Sequence, residues 1–259
     1  MQINVRMRFL SIAVLVLSAA LWSACNKTGN AVSSAAASTE GAKIPVTTKS
    51  EDARNEFLQG RDLSDRLLAQ DSLQHFDKAI ALDPEFAAAE MARANSSPTT
   101  KDFFEHLNKA VSLADKASEG EKTLILANQA GANGEVVKQK EYLEKLVAAY
   151  PNDERAQFSL ANYYFGQQDN LQAIEHYKKA TELAPNFSPA YNVLGYAYRQ
   201  QGDYANAEGA FKKYIELIPN DPNPYDSYGE LLLKMGRFDD STRCRSMTWR
   251  RSSSNVLSK

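Results

Sequence analysis

The sequence predicts an all-α protein, a solenoid of stacked antiparallel helix pairs that follows a cleaved signal and a flexible tether. One observation is an internal repeat, because a shift of 34 positions places Leu160 on Leu194 and Tyr164 on Tyr198. A second is punctuation at the same interval, by Pro151, Pro185 and Pro219. A third is that apolar residues between these prolines recur at helical spacing, without the alternation typical of strands.

The first 25 residues have the layout of a secretory signal, with Arg6 and Arg8 ahead of an apolar run over residues 9–22. A run of this length is too short to span a bilayer core of about 30 Å. Ser23 and Ala24 then precede Cys25, and this end resembles a bacterial lipobox. The resemblance implies a lipid on Cys25, which becomes the new N-terminus.

This interpretation predicts a membrane-anchored lipoprotein that faces the periplasm. Asn26 follows the cysteine, and its resemblance to enterobacterial sorting signals implies the outer membrane. The alternative is an ordinary signal cleaved after Ala20, which predicts a soluble periplasmic or secreted protein. Residues 26–50 are mostly small and polar, so we expect a disordered tether there.

Residues 151–241 carry the repeat that defines the predicted fold. The unit that starts at Glu154 supplies Leu160, Ala161, Tyr164, Ala173, Tyr177, Ala180 and Pro185. The unit that starts at Ser188 supplies Tyr191, Leu194, Gly195, Tyr198, Ala207, Phe211 and Pro219. These positions resemble the tetratricopeptide repeat, which implies two helices per unit and an α-solenoid. Gln157 and Tyr214 depart from the family pattern, in which a large residue and Ala are usual.

The pattern of residues 51–150 predicts degenerate repeats of the same kind. Gly60 precedes Pro84 by the interval that separates Gly195 from Pro219. Thr48 and Glu51 predict a capping box that opens the first unit. In total the sequence predicts about ten helices before residue 242 and no strand.

The pattern ends abruptly in residues 242–259. Arg245 stands where the preceding units carry a buried aromatic residue, and the segment contains no acidic residue. We interpret it as an aberrant basic tail, and one hypothesis is a shifted reading frame, which the coding DNA of the locus tests. The alternative is a natural basic tail.

The composition predicts a protein that is not an enzyme and needs no cofactor or metal. Only Cys25 and Cys244 occur, which excludes a four-cysteine zinc site, and the three histidines show no paired spacing. The net charge is −2, and all 32 acidic residues lie between the basic ends. An acidic body disfavours nucleic acid as a partner.

The resemblance implies a concave face, lined by the first helix of each unit, that binds protein or peptide partners. The candidate groove residues are Phe158, Asn162, Phe165, Asn192, Tyr196 and Arg199. Aromatic residues and arginine anchor interfaces well, and asparagine can hydrogen-bond a peptide backbone. For Phe158 and Phe165 the alternative is packing between helices.

The function predicted from these features is a protein–protein interaction scaffold, anchored by lipid in the bacterial cell envelope. The lipid is then its only contact with the membrane. Two alternatives remain at this point. One is a pilot or assembly lipoprotein for a pilus, a secretin or an outer-membrane complex. The other is the non-catalytic part of a truncated enzyme that contains these repeats.

Overall fold

A computed structural model of the chain describes residues 43–246. The helices in this part are α1 (Glu51–Asp65), α2 (Ala69–Leu82), α3 (Ala87–Asn95), α4 (Thr100–Leu113), α5 (Glu119–Ala132), α6 (Val136–Ala149), α7 (Glu154–Gly166), α8 (Asn170–Leu183), α9 (Ser188–Gln200), α10 (Tyr204–Leu217) and α11 (Asn223–Lys234). A short 3-10 helix, Ala114–Lys116, follows α4. Residues 238–246 are also helical and are called α12 here. The described residues contain no strand, and the all-α prediction is confirmed.

Successive helices form antiparallel pairs, and each pair packs on the next. The strongest contacts join α1 with α2, α3 with α4, α5 with α6, α7 with α8, and α9 with α10. Buried residues of each first helix meet buried residues of its partner, and large side chains such as Phe187 fill the layer between pairs. The architecture is therefore the predicted α-solenoid, whose odd-numbered helices we call the first helices.

The pairs approach closely because a glycine on the first helix faces a large side chain on the second. A Cβ atom added at Gly60 would lie 2.7 Å from Cε1 of Phe76, and one at Gly195 would lie 2.7 Å from Cε1 of Phe211. Both aromatic rings are fully buried. In the last pair Gly229 faces Arg245 instead, with a Cβ-to-Cγ distance of 2.9 Å.

Five of the six turns inside a pair contain a residue with a left-handed backbone, which is Leu67 (φ 60°) in the first, and the turn between α3 and α4 contains none. Gly134, Gly202 and Gly236 supply the left-handed residue in three of the other turns, with φ values of 73°, 79° and 75°. Gln168 holds the equivalent place between α7 and α8 with φ 63°, a conformation that costs a non-glycine residue about 1 kcal/mol. The left-handed backbone of the turn is thus kept at position 168, although the residue there is not glycine.

The prediction of a disordered tether up to residue 50 is wrong for residues 43–50, and the rest of the predicted tether lies outside the described residues. Residues 43–49, the N-terminal strap, form neither helix nor strand and lie against the starts of α5 and α7. The backbone N–H of Ile44 donates to Oδ2 of Asp153 at 2.9 Å, and that of Thr47 donates to Oε1 of Glu121 at 3.0 Å. Ile44 also packs against Tyr150. The strap is ordered because residues far away in the chain satisfy its polar groups.

The predicted capping box at Thr48 is also wrong. Ser50 caps α1 instead, and its hydroxyl accepts the backbone N–H of Ala53 at 3.1 Å. The Thr48 hydroxyl donates to Oδ2 of Asp83 at 2.6 Å, in the loop before α3. Because its hydroxyl is engaged with the loop between α2 and α3, Thr48 does not cap α1.

Helix α12 crosses residue 242, where the aberrant tail was predicted to begin. Its Ser241 hydroxyl donates to the carbonyl of Gly229 at 2.8 Å, and Cys244 is buried against Tyr225 and Leu232. Residues 242–246 therefore pack as the second helix of a sixth pair. The remainder of the predicted tail lies outside the described residues.

Candidate binding groove

The first helices line a continuous groove that begins with a cavity between the strap and α1, α3, α5 and α7. This N-terminal cavity has a volume of about 450 Å³, within the range of about 300–1,000 Å³ that is usual for ligand sites. Its walls are mostly apolar, and they include Val46, Phe57, Phe76, Met91, Leu124 and Ile125. Charged groups reach it from α1, α5 and α7, among them Arg61, Asp65, Glu121 and Arg155.

A second cavity of about 280 Å³, the central cavity, lies between α5, α6 and α7. Its lining includes Leu124, Asn128, Ser159, Asn162 and Tyr163. Because Leu124 borders both spaces, the two cavities belong to one groove. The side chains here are mostly polar and uncharged, which suits hydrogen bonds to a peptide backbone.

A third, wider space of about 680 Å³ lies where α9 faces α11. Arg199, Glu230, Leu233 and Lys234 border it. The Arg199 guanidinium donates to Oε2 of Glu230 at 3.1 Å, so its charge is already paired.

Arg61 is the distinctive charge of the N-terminal cavity. Its guanidinium carbon lies 5.5 Å from the centroid of the Phe57 ring, a cation–π contact. Burial lowers the pKa of Arg61 from its ordinary value, and the nearby positive charge of Arg155 lowers it further. Arg61 therefore carries a charge that is partly removed from water.

Three predicted groove residues lie on the inner side of the first helices. Asn162 is exposed in the central cavity, and its Oδ1 accepts the Tyr177 hydroxyl at 2.7 Å. The Tyr196 hydroxyl donates to Oγ of Ser227 at 3.1 Å. Arg199 lies over the Tyr196 ring at 4.7 Å. Tyr196 and Arg199 thus connect α9 to α11 in addition to facing the groove.

Two of the other three, Phe158 and Phe165, are mainly packing residues. The Phe158 ring lies 5.1 Å from the Phe187 ring in the layer between two pairs. Phe165 packs on Tyr177, with ring centroids 6.4 Å apart. Asn192 is partly buried, and its Oδ1 has no hydrogen-bond partner in the described part of the chain. For Phe158 and Phe165 the structure favours the alternative, packing between helices.

The sequence analysis missed the groove residues of the degenerate repeats: Phe57, Arg61, Met91, Leu124 and Asn128. A usable signal exists, because Gly60 aligns with Gly195. That alignment places Arg61 on Tyr196, at the same inner position of the first helix.

Neither a metal-binding cluster nor a membrane-spanning helix is found within residues 43–246. No cluster of three or more His, Cys, Asp or Glu side chains there could hold a metal ion. No helix in the same range is both long enough and apolar enough to cross a bilayer. Cys25, the predicted lipidation site, lies outside the described residues.

Comparison with known proteins finds the same repeat in part of the chain. Residues 140–187 and 160–222 match the family described as tetratricopeptide repeat. No protein of curated function matches the chain. The family match and the helix pairs together confirm the predicted class: residues 140–222 carry tetratricopeptide repeats, within a fold built of helix pairs.

Solved structures show the same fold at low identity. MamA of MSR-1 matches with a TM-score of 0.51 and 18% identity, over 65% of this chain and 95% of that chain. MamA of AMB-1 matches with a TM-score of 0.53 and 20% identity, over 65% and 98%. The APC/C hetero-tetramer Cut9–Hcn1 matches with a TM-score of 0.54 and 21% identity, over 78% of this chain and 44% of that chain. At these identities the likeness concerns the fold.

Proposed function

We propose that the chain is a scaffold that binds a peptide segment of a partner protein along the inner face of its first helices. The observation that carries the proposal is the groove itself, in which an apolar cavity continues into a polar one. Apolar walls provide the binding free energy, and amide and hydroxyl groups orient an extended backbone.

Solenoids of helix pairs bind partners on such a surface because each pair uses its other apolar face to stack on its neighbours. Here that stacking buries Phe86, Ala89, Ala190 and Leu194 among others. The inner faces of α5 and α7 are left free for a partner.

Photocross-linking tests the proposal. A benzophenone amino acid is placed at Asn128 or Ser159, which line the groove. In matched controls it is placed at Glu175 or Lys178, on the outer helix α8. We expect the inner positions to cross-link discrete envelope proteins that the outer positions do not reach. The same products from both faces would contradict the proposal.

We further propose that the scaffold is held at the bacterial envelope by a lipid on Cys25. The support is the signal-like segment with Cys25 at its end, followed by small, polar residues ahead of the strap. Such a segment would give the groove reach from the membrane surface.

Fractionation tests the anchor. The wild-type chain is expected in the membrane fraction and to incorporate labelled palmitate, whereas Cys25→Ser is expected in the soluble fraction without label. A matched change, Cys244→Ser, should leave both readouts unchanged. Equal distribution of the wild-type chain and Cys25→Ser would contradict the anchor.

A further inference from the structure

Arg61 differs from the other arginines near the groove because it forms no direct ion pair within residues 43–246. Arg155 pairs with Asp65, and Arg199 pairs with Glu230. Within residues 43–246, Arg61 has no hydrogen bond and no ion pair, and its guanidinium lies over the Phe57 ring. The charges of Asp65, Glu154 and Asp153 act on it from a distance, but burial and the charge of Arg155 outweigh them and lower its pKa. A partly buried guanidinium without an anion is a costly arrangement, which an acidic ligand would relieve.

The acidic groups around the cavity are already engaged elsewhere. Asp65 accepts two hydrogen bonds from Arg155. Glu154 pairs with Lys43 of the strap, and Asp153 caps α7 while it accepts the N–H of Ile44. Glu121 completes the cap of α5 and binds Thr47. These carboxylates already have partners. Arg61 is therefore the charged group of the cavity that remains available to an acidic side chain of a ligand.

Beside Arg61 the cavity is apolar. Val46, Ala88, Ala92 and Leu124 line it and are partly exposed, while Phe76 and Ile125 lie buried behind them. Leu124 extends this wall into the central cavity. A ligand that fills the space therefore presents a large apolar group next to a negative charge.

We propose that the N-terminal cavity binds a partner segment in which an acidic residue is adjacent to a large apolar residue. The carboxylate meets Arg61, and the apolar side chain contacts Val46, Ala92 and Leu124. The occupant is a peptide because the cavity opens into the central one, whose Asn128 and Asn162 suit a continuing backbone. This inference rests on the proposed function and names the chemistry of the partner.

The test uses a display library of random dodecapeptides selected against the full chain. We expect enriched peptides to carry Asp or Glu beside Leu, Ile, Phe or Met. Replacing that acidic residue by its amide should weaken binding about tenfold, the effect of a lost charge-assisted hydrogen bond. Arg61→Gln should weaken the acidic peptide equally and leave the amide peptide unaffected.

Two variants guard against a folding artefact. Arg61→Lys should retain part of the affinity, because it keeps the charge but loses the planar donor pair. Arg54→Gln, on the same helix but outside the cavity, should change nothing. Circular dichroism should match the wild-type spectrum for all three variants.

The outcomes separate the two proposals. Enriched peptides that bind Arg61→Gln as tightly as wild type would overturn this inference and leave the scaffold standing. No enrichment at all would overturn both. Glu40 is the acidic residue that precedes the strap in the sequence. If Glu40→Gln binds the peptides more tightly than wild type, this segment of the chain is the occupant, and if Arg61→Gln abolishes self-association, the occupant is a second copy. Either result would overturn the partner assignment.

Discussion

The guanidinium of Arg155 at the start of α7 donates two hydrogen bonds to the carboxylate of Asp65 at the end of α1, across 90 positions of sequence. Next to it, Arg66 donates to Oδ2 of Asp221 at 3.1 Å, across 155 positions. The end of α1 therefore contacts the start of α7 and the loop between α10 and α11. The solenoid curves enough for these distant segments to touch, and two ion pairs join them.

Breaking both ion pairs should open the superhelix. We expect Asp65→Asn with Arg66→Gln to increase the radius of gyration in small-angle X-ray scattering, while each pair contributes no more than about 1 kcal/mol to stability. High salt should expand the wild-type chain in the same direction. Glu135→Gln breaks a local, exposed pair with Lys138 and should leave the radius unchanged. An unaltered radius in the double variant would show that packing alone sets the curvature.

The glycine at the pair interface should be irreplaceable where it faces a ring. Gly195→Ala should lower the free energy of unfolding by about 1–3 kcal/mol, because the new methyl group overlaps buried Phe211. A Cβ atom added at Gly209, in the middle of α10, would meet nothing within 4 Å, so Gly209→Ala should raise stability by about 0.5–1 kcal/mol. Urea denaturation measures both changes. Equal effects would show that the close approach is not required.

Glu208 should make the C-terminal repeats sensitive to acid. Hydrogen bonds from Lys212 first, then from Tyr228, lower the pKa of Glu208 to about 2. An unfolded glutamate titrates near pH 4.3, so this stabilisation is complete above about pH 4.3 and is lost as the pH falls towards about 2. Urea denaturation at several pH values should show wild type losing its advantage over Glu208→Gln across that window. A constant difference between them would contradict the assignment.

The last pair should be improved by an aromatic residue at position 245. The Arg245 stem occupies the place that Phe211 takes against Gly195, and its Nε atom is buried without a hydrogen bond. Arg245→Phe should therefore raise the free energy of unfolding by about 1 kcal/mol, despite losing the ion pair of 3.6 Å with Asp226. Arg243→Phe, at an exposed site, should stay within about 0.5 kcal/mol of wild type. A loss of stability in Arg245→Phe would contradict the equivalence of the two sites.

The complete repeats could be predicted because their information is local. The units assigned to start at Glu154 and Ser188 coincide with the starts of α7 and α9. Small residues, aromatic residues and prolines at fixed intervals determine each pair without reference to the rest of the chain.

The features that the sequence pattern did not predict depend on contacts between residues that are far apart in the chain. The departure at Gln157 is explained by a hydrogen bond between its Oε1 and the His176 ring at 2.8 Å. A related pair, Glu90 with His106, joins α3 to α4 at 2.7 Å. Gln157 and Glu90 can each stand where an apolar residue is usual because a histidine of the second helix hydrogen-bonds the polar side chain.

The same reason limits how much of the candidate groove could be predicted from the sequence. Asn162, Tyr196 and Arg199 lie in complete units, and the pattern placed them on the inner face. Arg61 lies in a degenerate unit, and its importance follows from the absence of a carboxylate partner within the described residues, which no pattern reveals. The ordered strap likewise depends on Asp153 and Glu121, which lie far away in sequence.

The most direct test of the groove is nuclear magnetic resonance of the labelled full chain, titrated with a peptide selected from the random library. The groove predicts amide shift changes concentrated on α1, α3, α5 and α7, with the outer helices α2, α4, α6 and α8 largely unchanged. Saturable changes confined to the outer helices, or no change at concentrations that saturate binding, would contradict it.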